Sequence, residues 1–339
     1  MTQETPRFII AGLLQRDFII LPDGKVLVDV PGGNVLYAAA GLMVWETQPP
    51  PGIVARVGED FPQTWLEDFR RRGLDTRGIR ILPEDIDLRR FYAFSGLQKY
   101  TRKDPVASFT RIGVPFPRAL LGYKGDDDYL DSRIQLLATS IRKEDIPPDY
   151  MDAGAVHLCS IDYLSHNLLP ALLRQAAFTT ITLEPSPGYM NPTFFYDIPA
   201  IVTGLTAFLP SEEDLKFLFQ GHSGDLWEMI EAVAAFGCEL VVVRRSRGGQ
   251  LLYEKATGNR WEIPAYAARM VNALGAGHAF CGGFLAGYRR TYDPLEAGLY
   301  GNISASLAGE GWDPFYAQDA LPGLAQARLE AVRQMVRKV

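Results

Sequence analysis

Short runs of consecutive apolar residues recur along the chain at 7–12 (RFIIAG), 52–58 (GIVARVG), 155–159 (AVHLC), 180–183 (TITL), 206–210 (TAFLP) and 240–243 (LVVV). Runs that lack polar alternation predict strands covered on both faces, as in parallel sheets. Between them the apolar positions change to helical spacing. In SHNLLPALLRQAAF (165–178), Leu168, Leu169, Leu172 and Leu173 share a face and Ser165 is a suitable N-cap. SGDLWEMIEAVAAFG predicts a second helix, starting near Ser223 and ended by Gly237. Strand followed by helix, repeated, predicts a doubly wound parallel sheet. Ligands of such sheets bind beyond the carboxyl ends of the strands.

Two stretches break this rhythm. Residues 13–31 (LLQRDFIILPDGKVLVDVP) and about 88–115 alternate polar and apolar positions, with a turn signal at Pro22-Asp23-Gly24. They predict short antiparallel strands projecting from the main body: a small β lid over the ligand edge, or equally a homodimer contact. The expected organisation is a single domain, 1–339, carrying this lid. YKGDDDYLDS (123–132) predicts a solvated acidic loop, because Asp126 to Asp128 in succession do not converge on one ion.

Composition narrows the class. A chain of 339 residues with 47% hydrophobic content can bury one large core. No apolar run reaches about 18 residues, so no membrane span is expected. MTQETPRFII lacks the order of a signal peptide. Cys159, Cys238 and Cys281 lie far apart in apolar surroundings, which predicts reduced thiols and a cytoplasmic location. The histidines show no metal-ligand spacing. A formal charge of −6 argues against nucleic-acid binding.

The candidate chemistry sits in VNALGAGHAFCGGFLAGY (271–288). A Gly-Ala-Gly turn opening an apolar helix presents successive N–H groups, and the helix dipole favours an anion there. The glycines also suit a turn that only lets a helix pack tightly, and the local pattern leaves both readings open. A dinucleotide fingerprint fails, since Phe280 stands where Gly or Ala belongs, and no Walker loop occurs.

This stretch resembles the second signature of the ribokinase-like (PfkB-type) carbohydrate kinases, D-T-x-G-A-G-D-x-F-x-G-G-F, with matching spacing. PGGNVLYAAAGL (31–42) resembles the Gly-Gly opening of their first signature, and VARVGEDFPQTWLEDFRRRGLDTRGI (54–79) the segment after it. The resemblance spans nearly the whole chain. It implies a three-layer α/β/α sandwich with a mainly parallel central sheet and a small β lid. It also implies ATP- and Mg2+-dependent phosphoryl transfer to an alcohol of a small sugar, polyol or nucleoside-like molecule. By position, Gly275, Ala276 and Gly277 would form the anion hole and residue 278 the general base. Asp17, Gly32 and Gly33 would hold the acceptor, with Asn34 and Tyr37 tuning selectivity. Arg244, Ser246 and Gly249 would meet the nucleotide, Asn302 and Ser306 would border the adenine, and Asp214 would join a water-mediated magnesium shell.

The departures cluster at polar positions. The family's catalytic aspartate is His278 here, its signature aspartate and threonine are Asn272 and Ala273, and its first-signature asparagine is Tyr37. Ser211 and Asp214 replace an asparagine and a glutamate, RRSRGG replaces the nucleotide-strand motif, and Glu184 replaces an aspartate. Three readings of His278 follow: a neutral imidazole base, a cation holding an anionic ligand, or a packing residue. Arg244, Arg245 and Arg247 either clamp phosphates or simply end a strand at the surface. Ser211-Glu-Glu-Asp also reads as an ordinary helix start. The alternative to a kinase is a non-catalytic ligand-binding or regulatory protein that kept the fold.

Overall fold

The computed structural model describes residues 4–97, 99–125, 131–246 and 248–339. Asp126 to Asp128 and Arg247, both considered above, lie outside the described residues. The strands are β1 (Phe8–Ala11), β2 (Gln15–Ile20), β3 (Val26–Gly32), β4 (Gly52–Gly58), β5 (Asp75–Leu82), β6 (Arg89–Phe94), β7 (Tyr100–Thr101), β8 (Ala155–Leu158), β9 (Thr180–Leu183), β10 (Ala207–Phe208), β11 (Leu240–Arg245), β12 (Gly249–Glu254), β13 (Asn259–Ile263) and β14 (Arg337–Lys338). The α-helices are α1 (Asn34–Met43), α2 (Gln63–Arg71), α3 (Pro105–Arg111), α4 (Tyr163–Arg174), α5 (Ile198–Val202), α6 (Glu212–Leu218), α7 (Leu226–Ala235), α8 (Ala276–Thr291), α9 (Pro294–Ala308) and α10 (Leu324–Arg333).

Among the described residues, ten strands form one sheet in the order β14-β13-β12-β11-β10-β9-β8-β1-β4-β5. Every pairing from β11 to β5 is parallel. The edge beyond β11 is antiparallel, because the predicted nucleotide segment turns back as the β11–β12 hairpin. All six apolar runs lie in strands of this sheet. Alternation along each strand feeds two cores. Phe8 and Ile10 face α1, α2 and α8, whereas Ile9 and Ala11 face the side that holds α4 to α7. Likewise Val241 and Val243 join the α4–α7 side, while Leu240 and Val242 pack with α8, α9 and α10. The result is a three-layer α/β/α sandwich. Each fully buried aliphatic side chain contributes roughly 1.5–3 kcal/mol, so covering both faces is what makes these all-apolar strands stable.

Two helix starts differ from expectation. Asp162, not Ser165, caps α4: its carboxylate accepts from the Ser165 N–H at 3.0 Å and from the Ser165 hydroxyl at 2.7 Å. The predicted leucine face is also narrower, for Leu169 and Leu173 are buried but Leu168 is exposed. Asp225 caps α7 instead of Ser223, while Gly237 follows its C-cap at φ +123° as predicted.

The second sheet, β3-β2-β6-β7, uses both irregular stretches. Its strands are not all antiparallel, since β2 and β6 run parallel across the long connection between them. Residues 105–111 form α3 rather than a strand; Pro105 opens the helix, and Phe109 packs against Phe91 of β6.

Candidate active site

Helix α8 begins at Gly275, which adopts φ +80°. A Cβ at this position would run into the Tyr37 ring of α1, so glycine is required both by conformation and by close approach. No side chain caps this end, which leaves the first N–H groups of a 16-residue helix available to an anion. The helix ends up beside the carboxyl ends of β9 and β11 because its own glycines permit deep packing. Gly282 lies against the Ala38 carbonyl of α1, and Gly283 against Ser304 of α9.

Three substituted positions meet at this helix start. Glu184 follows β9 immediately and its side chain is only 3% exposed. Its Oε1 pairs with Arg244 Nη1 at 2.6 Å, and its Oε2 accepts from His278 Nδ1 at 2.6 Å. Burial would push the Glu184 carboxyl up, but Arg244 and then His278 override it and hold it well below the usual carboxylate range. Arg244 stays charged for the same reason: burial opposes its charge and Glu184 outweighs that penalty. The Arg244 guanidinium also covers Gly277, where a Cβ would lie 2.6 Å from Nη1. A fixed cation therefore stands at the Gly-Ala-Gly turn. His278 is 31% exposed, and its Nε2 has no protein partner among the described residues.

Behind this group, His157, Glu184 and Cys281 bring ligand-type atoms within 4.8 Å of one another, all buried. Sequence spacing concealed this convergence. His157 Nδ1 meets Thr182 Oγ1 at 2.9 Å, and burial lowers its pKa to about 3. With both Glu184 oxygens already engaged, His157 and Cys281 make a neutral floor to the site.

A cavity of about 810 Å3 opens beside Gly277. Arg244, Arg245, Ser246, Tyr266, Asn302 and Ser306 are among its lining residues. The Asn302 amide is fully engaged with the Tyr266 N–H, Gln250 and the Pro264 carbonyl, so it shapes the wall. Ser306 Oγ donates to the Ile303 carbonyl and accepts from Arg328. Gly249 sits in the hairpin at φ +77° and is not in the lining. Ser211 is the N-cap of α6, accepting from the Asp214 N–H at 3.0 Å, and its hydroxyl donates to Asp214 Oδ2 at 2.6 Å. Burial raises the Asp214 pKa.

Toward the lid, Asp17 on β2 faces Gly32 of β3, where any side chain would collide with its carboxylate. Asp17 is 2% exposed, Oδ1 lacks a protein partner among the described residues, and burial raises its pKa to about 7 against the pull of Arg90. Gly33 precedes α1 at φ +106°, passing close to the Leu13 carbonyl. Asn34 ties the chain together, accepting from the Leu13 N–H at 2.8 Å and donating to the Ser160 carbonyl at 2.6 Å. The Tyr37 ring links this side to Gly275, joining the expected acceptor and phosphoryl positions.

A model of the pfkB family carbohydrate kinases matches residues 149–310, the stretch that carries Glu184, Arg244 and His278. The complete fold agrees with it. An E. coli protein described as a ribokinase II, solved with ATP and Mg2+, superposes with a TM-score of 0.69 at 14% identity, covering 97% of this chain and 99% of that one. Residues 149–310 thus match the pfkB carbohydrate kinases, and the whole chain shares the ribokinase-like fold. A fructokinase from Vibrio cholerae O395, solved with fructose, ADP and calcium, superposes with a TM-score of 0.68 at 19% identity over 97% of this chain and 99% of its own. In sequence, the chain is 25% identical over 292 residues to a cytidine kinase of Thermococcus kodakarensis, covering 85% of this chain and 90% of the relative.

Against the signatures this chain resembles, the substitutions here are spatially coherent. Arg244, Glu184 and His278 come from β11, the end of β9 and α8, yet form one hydrogen-bonded group. Sequence reading found each as a departure but missed their contact. The separation of 94 residues between Glu184 and His278 hides it from any local pattern.

Proposed function

We propose that this protein transfers the γ-phosphoryl group of ATP to an alcohol of a small sugar, polyol or nucleoside-like acceptor, with His278 as the general base. The observation carrying this reading is the Arg244–Glu184–His278 group at the uncapped start of α8, beside the 810 Å3 cavity. The cavity suits a polyanion. The Nε atoms of Arg244 and Arg245 are buried without a protein partner, and both arginines line it. ATP would lie along Arg244, Arg245 and Ser246, with its base toward Asn302 and Ser306 and its terminal phosphate over Gly275, Ala276 and Gly277.

A divalent cation fits as part of the nucleotide complex rather than as a protein-caged ion. Glu184 is fully engaged and Asp214 already takes the Ser211 hydroxyl, so Asp214 would reach the ion through water. When bound, the ion neutralises phosphate charge. The chain's own residues supply the rest. Asp17, with its unpaired oxygen, accepts from an acceptor hydroxyl, and Gly32 and Gly33 allow close approach. Tyr37 narrows the space beside Gly275. The His278 Nε2 takes the reacting hydroxyl proton while the oxygen–phosphorus bond forms and the bridging bond to the β-phosphate breaks, releasing ADP. The helix N–H groups and Arg244 bear the charge on the transferring group.

A relative named a cytidine kinase and a fructokinase of the same fold support an acceptor in the sugar or nucleoside class. The test is ADP formation with Mg2+-ATP against a panel of hexoses, pentoses, polyols and nucleosides. Acceptor-dependent ADP and a phosphorylated product are expected. Nucleotide binding without transfer to any member would instead favour the non-catalytic alternative. Among the described residues, no helix is long and apolar enough to cross a membrane. A cytoplasmic location and a homodimer through the lid, where Val28 and Tyr100 are exposed, complete the proposal. Sedimentation of a Tyr100→Glu variant as a monomer, against a wild-type dimer, checks the latter.

A further inference from the structure

Glu184 touches two groups of the proposed machinery without itself being exposed to reactants. Its backbone N–H donates to the Leu158 carbonyl at 2.9 Å, which sets the residue at the carboxyl ends of β8 and β9. From there one oxygen reaches Arg244 and the other reaches His278, each at 2.6 Å. An ionised carboxylate only accepts hydrogen bonds, so Nδ1 of His278 must carry the hydrogen. In the neutral ring the lone pair then lies on Nε2, away from Glu184.

We propose that Glu184 is a positioning residue: it fixes the tautomer and ring orientation of His278 and anchors Arg244 over Gly277, so that the three side chains act as one unit. The inference rests on the reading of His278 as the base in phosphoryl transfer. Arg244 is essential to it. A buried glutamate lacking a cationic partner would be protonated and would donate to Nδ1, placing the ring hydrogen on Nε2 and abolishing the base. The aspartate of the family's signature needs no such arrangement, because a carboxylate has no tautomer. His278, unlike a carboxylate, has a tautomer to be fixed, and the Glu184–Arg244 pair lies where it can fix it.

The groups around His278 leave this logic intact. His157 from β8 is held neutral by burial, and burial raises the Cys281 thiol of α8 well above its ordinary value. Asp214 of α6 adds its field through Arg244 and Glu184. In the step itself, the alcohol proton passes to Nε2, the new oxygen–phosphorus bond forms, and ADP leaves with the electrons of the broken bridging bond. The imidazolium so formed faces Glu184 through Nδ1–H and returns its proton to solvent.

The experiment uses the full chain labelled with 15N-histidine, with His278 assigned by comparison with His278→Gln. At pH 8 the wild type should show His278 protonated at Nδ1 and bare at Nε2. Glu184→Gln should shift the ring toward a tautomer mixture and lower kcat at least about tenfold. Glu184→Asp, one methylene shorter, should restore the charge but only part of kcat. A wild-type ring protonated at Nε2 would overturn the proposal, as would a Glu184→Gln enzyme with unchanged tautomer and kcat. If Glu184→Gln does not fold, the wild-type tautomer decides alone. An Nδ1–H ring in a protein that phosphorylates no acceptor would contradict the kinase reading while leaving the geometric role of Glu184 supported.

Discussion

Asp17 shows how a single buried residue links stability to pH. Burial places its folded-state pKa at about 7, against roughly 3.9 for an unfolded aspartate. The folded state therefore binds this proton more tightly than the unfolded chain. The corresponding stability is complete below about pH 4 and is lost as pH rises through about 7. Asp17→Asn should remove this dependence. Denaturant titrations should show the variant gaining on the wild type by up to roughly 4 kcal/mol between pH 4 and pH 8. Glu184 has the opposite sign: its folded pKa is depressed, so its contribution is present above the unfolded value and fades on acidification. Asp17 and His278 stand out in the sequence as candidate positions because each falls at a fixed offset from a glycine motif. The partners of His278 do not, because contact between β9, β11 and α8 depends on sheet order rather than on sequence neighbours.

At the level of elements, the start of α8 is held in place by close helix contact. A Cβ on Gly282 would overlap the Ala38 carbonyl and approach Leu42 N to 2.9 Å, and neither backbone atom has a flexible escape. Gly282→Ala should cost about 3 kcal/mol or more, measured as a fall in melting temperature. Gly277→Ala should be milder for the fold, because its nearest neighbour is the end of the Arg244 side chain. It should nonetheless weaken ATP binding by moving that guanidinium, which calorimetry checks. The six main-sheet runs were readable because strands covered on both faces tolerate no polar alternation. Helix starts were less so. Ser165 and Ser223 are good caps by type, but Asp162 and Asp225 lie where the chain turns into the helix. The parallel β2–β6 pairing joins residues some seventy positions apart, and α3 rests on Phe109 packing against Phe91, both beyond local periodicity.

Over the whole molecule, the fold positions an uncapped helix start, the Arg244 guanidinium and the His278 imidazole at one edge of a parallel sheet, where the strand–helix rhythm predicts a ligand. The signature spacing made the architecture readable from end to end. It left the chemistry undecided, since in sequence His278 suits a base, a cation or a packing residue. Its hydrogen bond to a buried, arginine-paired carboxylate and its partial exposure favour the base. The direct test is the single-turnover rate of acceptor phosphorylation from Mg2+-ATP in wild type, His278→Ala and His278→Asp. Loss of about 10²- to 10⁴-fold in His278→Ala, with substantial activity kept in His278→Asp, is the predicted result. A His278→Ala rate equal to wild type would contradict the assignment of His278 as the base.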